Sequence, residues 1–134
     1  MRVLVIAILL FSCGASEVAR PEEVLGQFLE HMERSRSDEM ALKDAFRLLD
    51  DKARAGLLER AVRAKTLSGG TYEPWQMLVP GQFRISLLPV ERGGMRAAIN
   101  GKAATVIVTG ASSEVIEVPM VWERGGWRVV LKLP

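Results

Sequence analysis

Apolar and polar residues alternate along the last part of the chain. Four apolar residues between Val115 and Trp122 share one face, because strand side chains repeat every two residues: Ile116, Val118, Met120 and Trp122. After a Glu-Arg-Gly-Gly segment a second apolar row follows, with Arg128 and Lys132 pointing the other way: Trp127, Val129, Leu131 and Leu133. The pattern predicts a closing β-hairpin with one buried face.

Two registers fit this hairpin. A two-residue turn at Gly125-Gly126 pairs Glu123 with Arg128, whereas a four-residue loop pairs Trp122 with Trp127. Both registers keep the same apolar face, because they differ by an even shift. Pro119 lies on the opposite face and cannot donate a ladder hydrogen bond, which predicts a strand edge or bulge there.

Three helical segments precede the strands. Pro21-Glu22-Glu23 opens the first, because proline and acidic residues favour a helix N-terminus. The second is expected from after Ser37 to Leu49, with Asp38 and Glu39 in its first turn. The third is expected from Asp51 to about Leu67, with Asp50 as its cap and Ser68-Gly69-Gly70 as its stop. Its buried side is expected to comprise Ala53, Leu57, Ala61 and Ala64, with Leu58 and Val62 beside them.

The region between the helices and the hairpin predicts further strands. Thr71–Gly81 is expected to form a crossover anchored by Trp75. Strands are expected at Phe83–Val90, in a shorter segment ending at Asn100-Gly101, and at Ala103–Thr109. Helices followed by an antiparallel meander predict an α+β fold, with three N-terminal helices packed on a curved sheet of about four to six strands. We expect residues 21–134 to form a single domain.

The N-terminus has the features of an export signal. Arg2 precedes the apolar run Val3–Phe11, which is too short to span a bilayer as a helix. The run ends in Leu10-Phe11-Ser12-Cys13, which resembles the bacterial lipobox and implies lipid attachment at Cys13. Residues 1–12 are then a lipoprotein signal peptide and residues 13–20 a tether. An ordinary cleaved signal with an incidental cysteine is the alternative.

The chain as a whole resembles the nuclear transport factor 2-like superfamily, and within it small bacterial lipoproteins with a domain of unknown function. The lipobox-like leader, the Pro21–Leu29 helix, the Ala45–Leu49 segment, the Gly101–Val108 strand and the Val121–Val129 ending carry the resemblance. It implies a cone, in which three helices wrap a strongly curved sheet around a cavity. In enzyme members that cavity holds a catalytic Asp or His and often a Tyr, whereas other members bind proteins or are purely structural.

Composition narrows the function classes. The formal net charge is only +2, and basic residues are not concentrated in a patch that would bind nucleic acid. One cysteine and one histidine leave no internal disulfide and no His/Cys metal cage. We expect no cofactor. Arg54, Arg60, Arg63 and Lys65 give the third helix a basic side, either solvated or attracted to anionic lipid headgroups.

Two residues are weak catalytic candidates. His31 borders the apolar stripe of the first helix, where it is either a general base or a structural histidine. Tyr72 is either a hydroxyl donor at a pocket mouth or a packing residue beside Pro74 and Trp75. The predicted apolar row of the sheet contains no acid or base, which argues against catalysis.

The main hypothesis from the sequence is a lipid-anchored lipoprotein of the bacterial cell envelope, in the inner or the outer membrane, that acts as a non-catalytic binding or accessory module. Its partner would be a small apolar ligand or an envelope protein. The alternatives are an isomerase or cyclase that uses His31 or Tyr72 in the cavity, and a structural homodimer. The homodimer would form through Val115, Val121 and Val130 on the outer sheet face.

Overall fold

The computed structural model describes residues 17–78, 94–110 and 113–133. Cys13 and the predicted strand Phe83–Val90 lie outside these residues. The described chain begins with helices α1 (Pro21–Arg34), α2 (Met40–Arg47) and α3 (Asp51–Ser68), and a short 3₁₀ helix (Pro74–Met77) follows. None of the helices within the described ranges is long and apolar enough to cross a membrane.

Four strands follow the helices in the described residues and form one antiparallel sheet. They are β1 (Met95–Asn100), β2 (Ala103–Thr109), β3 (Val115–Glu123) and β4 (Gly126–Val129). Each strand pairs with its neighbour in sequence, so the order is β1-β2-β3-β4. Three helices packed with an antiparallel meander confirm the predicted α+β fold class.

The closing hairpin has the register that places Trp122 opposite Trp127, while Glu123 lies opposite Gly126. The predicted four-residue loop is nevertheless wrong, because the turn contains only Arg124 and Gly125. Their φ angles are 53° and 74°. A two-residue hairpin turn of this kind needs positive φ at both positions, which glycine adopts freely and arginine does not. Arg124 therefore holds a conformation that its side-chain contacts must support.

The pairing of β3 with β4 ends at Pro119. The Val130 N–H donates to the Pro119 carbonyl over 3.0 Å, but proline has no N–H to donate in return. Pro119 lies within the central strand β3 and is paired with Thr105 of β2, so the predicted strand edge is present only on the side of β4. The second apolar row is consequently divided, because β4 stops at Val129 and Leu131 and Leu133 lie beyond the strand.

Leu133 packs on α3 instead of continuing the sheet. A Cβ atom at Gly56 would lie 2.6 Å from the Leu133 Cδ1 atom, which is closer than packed carbon atoms approach. The absent side chain of Gly56 thus lets the end of the chain contact the helix. This contact joins the C-terminal segment to α3.

Helix α2 is shorter than predicted at both ends. It begins at Met40, where the backbone N–H donates to Asp38 Oδ1 over 3.0 Å, so Asp38 precedes the helix. It ends at Arg47, and the next residues run parallel to β4 with a bridge between Leu49 and Val129. The Leu48 carbonyl accepts from the Val129 N–H, and the Asp50 N–H donates to the Val129 carbonyl. These backbone groups of residues 48 and 50 bond to the edge of β4 instead of extending α2.

The core lies between the helices and one face of the sheet. All three helices contribute to it: Val24, Leu25, Phe28 and Leu29 from α1, Leu42 and Ala45 from α2, and Ala53 and Leu57 from α3. The sheet contributes the inward rows of β2, β3 and β4: Ala104, Val106, Val108, Val118, Met120, Trp127 and Val129. Burying each large apolar side chain contributes about 1.5–3 kcal/mol. The predicted buried face of the hairpin is therefore confirmed as the part of the sheet that contacts the helices.

Helix α3 buries fewer residues than expected. Ala53, Leu57 and Ala61 are buried, as predicted, whereas Ala64 is only partly buried. Leu58 and Val62 instead have 53% and 59% of their surfaces exposed. The expectation that these two side chains flank the buried side is wrong, because the packed face of α3 is narrow and consists largely of alanines.

Candidate functional site

The tip of the closing hairpin contacts the junction between α2 and α3. The Arg124 guanidinium forms an ion pair with the Asp51 carboxylate, and it also donates to the Leu49 carbonyl over 2.9 Å. The Glu123 carboxylate accepts a hydrogen bond of 2.9 Å from the Asp51 N–H. The hairpin thereby supplies the hydrogen-bond acceptor at the N-terminus of α3 from 72 residues away in sequence.

Asp50 does not cap α3 with its own side chain, contrary to the prediction. It occupies the N-cap position without a side-chain cap hydrogen bond. The residue is 6% exposed, and its Oδ1 atom accepts the Leu131 N–H over 3.4 Å. Asp50 is therefore turned towards the segment after β4, and Glu123 takes over the capping role.

Two arginines of the hairpin lie close to each other. Partial burial lowers the pKa of Arg124 below its ordinary value, and the nearby Arg128 guanidinium lowers it further. The Asp50 carboxylate acts on the same pKa in the opposite direction. Arg124 is already paired with the Asp51 carboxylate, so Arg128 is the cationic side chain of the hairpin tip for which no ion pair is seen among the described residues.

A groove of about 310 Å³ lies between the hairpin tip, α1 and the residues that precede α1. Its apolar walls come from both sides of the groove: Val18, Ala19, Val24, Leu48 and Trp127. Its polar side chains are Glu17, Gln27 and Arg128, and Gly125 and Gly126 complete the lining. The exposed lining of this open groove is about as polar as it is apolar, so an occupant would need both an apolar part and a polar or charged group.

Arg128 lines the groove and has a buried donor atom without an acceptor among the described residues. Its Nε atom is buried and has no hydrogen-bond partner among the described residues. The guanidinium lies against Gly126, where a Cβ atom would be 3.7 Å from Nη2. An unpaired buried donor costs about 1–3 kcal/mol, more when charged, so a ligand that accepts this hydrogen bond recovers that energy.

The backbone of Trp127 offers a second point of attachment. Trp127 and Trp122 form a pair without mutual backbone hydrogen bonds, because the Trp122 N–H donates to Lys102 on the other side of β3. The N–H and C=O of Trp127 therefore point away from β3, to the open edge of β4. They have no hydrogen-bond partner among the described residues. An edge of this kind can pair with one residue of an extended chain.

The predicted catalytic candidates lie elsewhere. His31 is in the last turn of α1 and partly buried, and its Nδ1 atom is buried without a partner among the described residues. Tyr72 is 38% exposed, and its hydroxyl lies 3.1 Å from Ser68 Oγ at the end of α3. Neither residue lines the groove. The contacts of Tyr72 are those of a residue that packs on a helix end.

The residues of the predicted dimer face are unequal. Val115 is 61% exposed, whereas Val121 and Val130 are only partly exposed. The homodimer stays a prediction.

In the part of the chain that the structure describes, His, Cys, Asp and Glu side chains form no group of three or more that could hold a metal ion.

Sequence reasoning placed Arg128 on the outer face and assigned it no role. The sequence signal for Arg128 was its place just after the hairpin turn, two residues beyond Gly126 in the last strand. The groove forms only because residues 17–19 pack next to the hairpin tip. The sequence pattern of these residues does not predict that contact. This chain matches no protein-family model, no curated protein and no solved structure.

Proposed function

We propose that this protein is a non-catalytic binding module of the bacterial cell envelope, whose groove holds the carboxylate end of an extended apolar ligand such as a peptide C-terminus. The observation that carries the proposal is the buried, unpartnered Nε of Arg128 in a groove with apolar walls. Arginine binds carboxylates through its planar set of donors, so a terminal carboxylate satisfies this group directly.

The groove supports a short segment rather than a large ligand. Its volume of about 310 Å³ lies at the lower end of the range typical for ligand pockets. The Trp127 N–H and C=O are oriented to pair with a single residue of an extended chain. Apolar side chains of that segment would contact Val18, Val24 and Leu48, and the Gln27 amide would offer a further hydrogen bond.

The proposal also places the protein on a membrane through a lipid at Cys13, after removal of residues 1–12, with the helices and sheet arranged as the cone of the nuclear transport factor 2-like superfamily. Its support is the lipobox-like Leu10–Cys13 segment at the end of the apolar run. Metabolic labelling with radioactive palmitate tests the anchor. The label should be incorporated by the natural chain and absent from Cys13→Ser, and equal labelling of both chains would refute lipidation.

Ligand binding is testable with a matched pair of peptides. We would add N-acetyl-Ala-Val with a free carboxylate, or its C-terminal amide, to ¹⁵N-labelled protein beginning at residue 13 with Cys13→Ser. Two-dimensional NMR spectra then report the backbone amides of Gly125, Gly126 and Trp127. The free acid should shift these amides, and the amide peptide should not, because it lacks the anion that Arg128 binds.

Two variants identify the group responsible. Arg128→Gln should abolish the shifts, whereas Arg96→Gln removes an exposed arginine from β1 and should leave them unchanged. Equal shifts with the acid and the amide, or with Arg128→Gln, would show that the groove does not recognise a carboxylate. A complete lack of shifts at millimolar peptide would overturn the proposed ligand class.

A second candidate function follows from His31. Its buried, unpartnered Nδ1 is the kind of polar atom that catalytic sites contain, and an isomerase or cyclase would use it as a general base. The corresponding test is exchange of α-protons of a cyclic ketone in deuterated water, followed by NMR. Exchange that is accelerated by the natural protein and lost in His31→Gln would favour this enzyme function over the binding module.

A further inference from the structure

Helix α3 presents an apolar stripe to the exterior. Ala55, Leu58 and Val62 lie three or four residues apart and therefore share one side of the helix. Leu58 is 53% exposed and Val62 is 59% exposed. These three residues, which we call the outer stripe, have no part in the buried row of Ala53, Leu57 and Ala61.

Basic residues border the outer stripe on both sides. With 3.6 residues per turn, Arg54 and Lys65 lie along one border, and Lys52 and Arg63 lie along the other. The same spacing places Glu59 between the stripe and this second border, and Asp51 on the side of the stripe at the start of the helix. Helix α3 contains five basic and two acidic residues, a net charge of +3 against +2 for the whole chain. Four of the basic residues and both acidic residues lie near the stripe, so its surroundings carry a net charge of +2 (4 − 2).

The two acidic residues of α3 are already engaged. Asp51 pairs with Arg124 of the hairpin, and Glu59 accepts a hydrogen bond of 3.0 Å from Arg63. Arg54 keeps its guanidinium 5.1 Å from the centre of the Phe46 ring. Lys52 and Lys65 are exposed at opposite borders of the stripe. Long basic side chains on both borders can reach headgroups while the apolar stripe enters the layer beneath.

We propose that α3 lies on the surface of an anionic lipid membrane, with Leu58 and Val62 in the interfacial layer and the flanking basic residues on the headgroups. This inference goes beyond the proposed ligand binding and does not depend on it. It is supported by charge complementarity, because basic side chains are attracted to an anionic lipid surface. Two half-exposed aliphatic side chains add a modest apolar contribution.

A second copy of the chain fits this surface less well. A symmetric dimer would place the same basic borders against each other, and like charges repel. The stripe contains only two large apolar side chains, whereas a standard interface buries about 800 Å² on each partner. The lipid surface is the occupant that matches both the charge and the small apolar area.

A site-specific fluorescent probe tests this orientation in the full-length chain. Cys13 is the only cysteine, so Cys13→Ser combined with Val62→Cys places a single nitrobenzoxadiazole probe in the outer stripe. The matched control carries the probe at Glu117→Cys, an exposed position of β3. Vesicles contain phosphatidylcholine alone or mixed with phosphatidylglycerol, together with a spin-labelled lipid that quenches only probes near the bilayer.

In anionic vesicles we expect the quenching to be several-fold stronger at position 62 than at position 117. In vesicles of phosphatidylcholine alone, the quenching at position 62 should be much weaker. Lys65→Glu should reduce the quenching at position 62 about fivefold or more, because it reverses one border charge. Lys102→Glu, an exposed lysine at the β1–β2 turn, should leave it unchanged. All variants keep the same N-terminal run, so differences report α3.

Three outcomes would overturn the proposal. The probe at position 62 could stay as accessible to water as the probe at position 117 while the protein sediments with the vesicles. Quenching could be insensitive to anionic lipid and to Lys65→Glu. Emission from position 62 could also shift with protein concentration in the absence of vesicles, which would assign the outer stripe to a second copy of the chain.

Discussion

The closing hairpin and helix α3 are both rich in apolar residues, yet they use them differently. In the hairpin, Val118, Met120, Trp127 and Val129 are 7% exposed or less, and Trp122 of the same row is partly buried. In α3, Leu57 is fully buried while its neighbour Leu58 is 53% exposed. In a strand with alternating residues, all apolar side chains lie on one face. In α3 the apolar residues are distributed around the helix, and only one of its sides contacts the core.

The largest expected effect comes from the tryptophan at the centre of the hairpin. Trp127→Ala should lower the free energy of unfolding by about 3–5 kcal/mol, because it opens a cavity in the core. Trp127 is 7% exposed, and its ring meets that of Trp122 edge-to-face at 5.5 Å. Urea denaturation followed by far-UV circular dichroism measures this change. A loss below about 1 kcal/mol would contradict the assignment of this face to the core.

The turn residue Arg124 should have the next largest effect. Arg124→Ala removes the ion pair with Asp51 and the hydrogen bond to Leu49, and should cost about 1–2 kcal/mol. Arg124→Gly removes the same contacts but relieves the positive φ of 53°, which costs a side-chain-bearing residue about 1 kcal/mol. Glycine should therefore be less destabilising than alanine in the same denaturation assay, and the reverse order would contradict the turn geometry.

Capping of α3 by the hairpin should be somewhat weaker. Glu123→Ala removes the acceptor of the Asp51 N–H, and should destabilise the protein by about 1 kcal/mol. Amide hydrogen exchange provides a local measurement, because the first turn of α3 should exchange faster than its centre in this variant. Asp50→Asn is the control, since its side chain contacts Leu131 and makes no cap hydrogen bond. Equal acceleration in both variants would argue against capping by Glu123.

The smallest effect is expected on the outer stripe of α3. Val62→Ser should change the free energy of unfolding by less than about 0.5–1 kcal/mol, because the side chain is 59% exposed. Leu57→Ala, one turn away on the buried row, should cost about 2–5 kcal/mol in the same assay. Similar losses for the two variants would remove the distinction between the buried and outer faces of α3.

The sequence predicted the order of elements well because most signals were local. Pro21 marks the start of α1, and Gly69 ends α3 with a left-handed φ of 71°. The limits of β2 follow from an apolar segment between the turn at Gly101 and the glycine at position 110. The ends of α2 and β4 could not be predicted, because they depend on which chain occupies the open edge of β4. That edge bonds to Leu48 and Asp50, which are distant in sequence.

The candidate groove was less accessible to prediction than the fold. It requires residues 17–19, the first turns of α1 and the hairpin tip to meet, and none of these segments has a pattern that indicates the others. The role of Glu123 is similar, because its carboxylate reaches Asp51 only when the hairpin packs on the α2–α3 junction. His31 and Tyr72 could be recognised as candidates by residue type alone, but not placed.

The sequence by itself determined the α+β class and the apolar face of the hairpin, because side-chain periodicity acts over a few positions. It left two registers open, and the structure selected the one that pairs Trp122 with Trp127. Tertiary structure decided which apolar residues of α3 face outward, where β4 ends and how Arg124, Glu123 and Arg128 are used. The physical reason is that hydrogen bonds at sheet edges and charges at helix ends are satisfied by whatever segment approaches them in space.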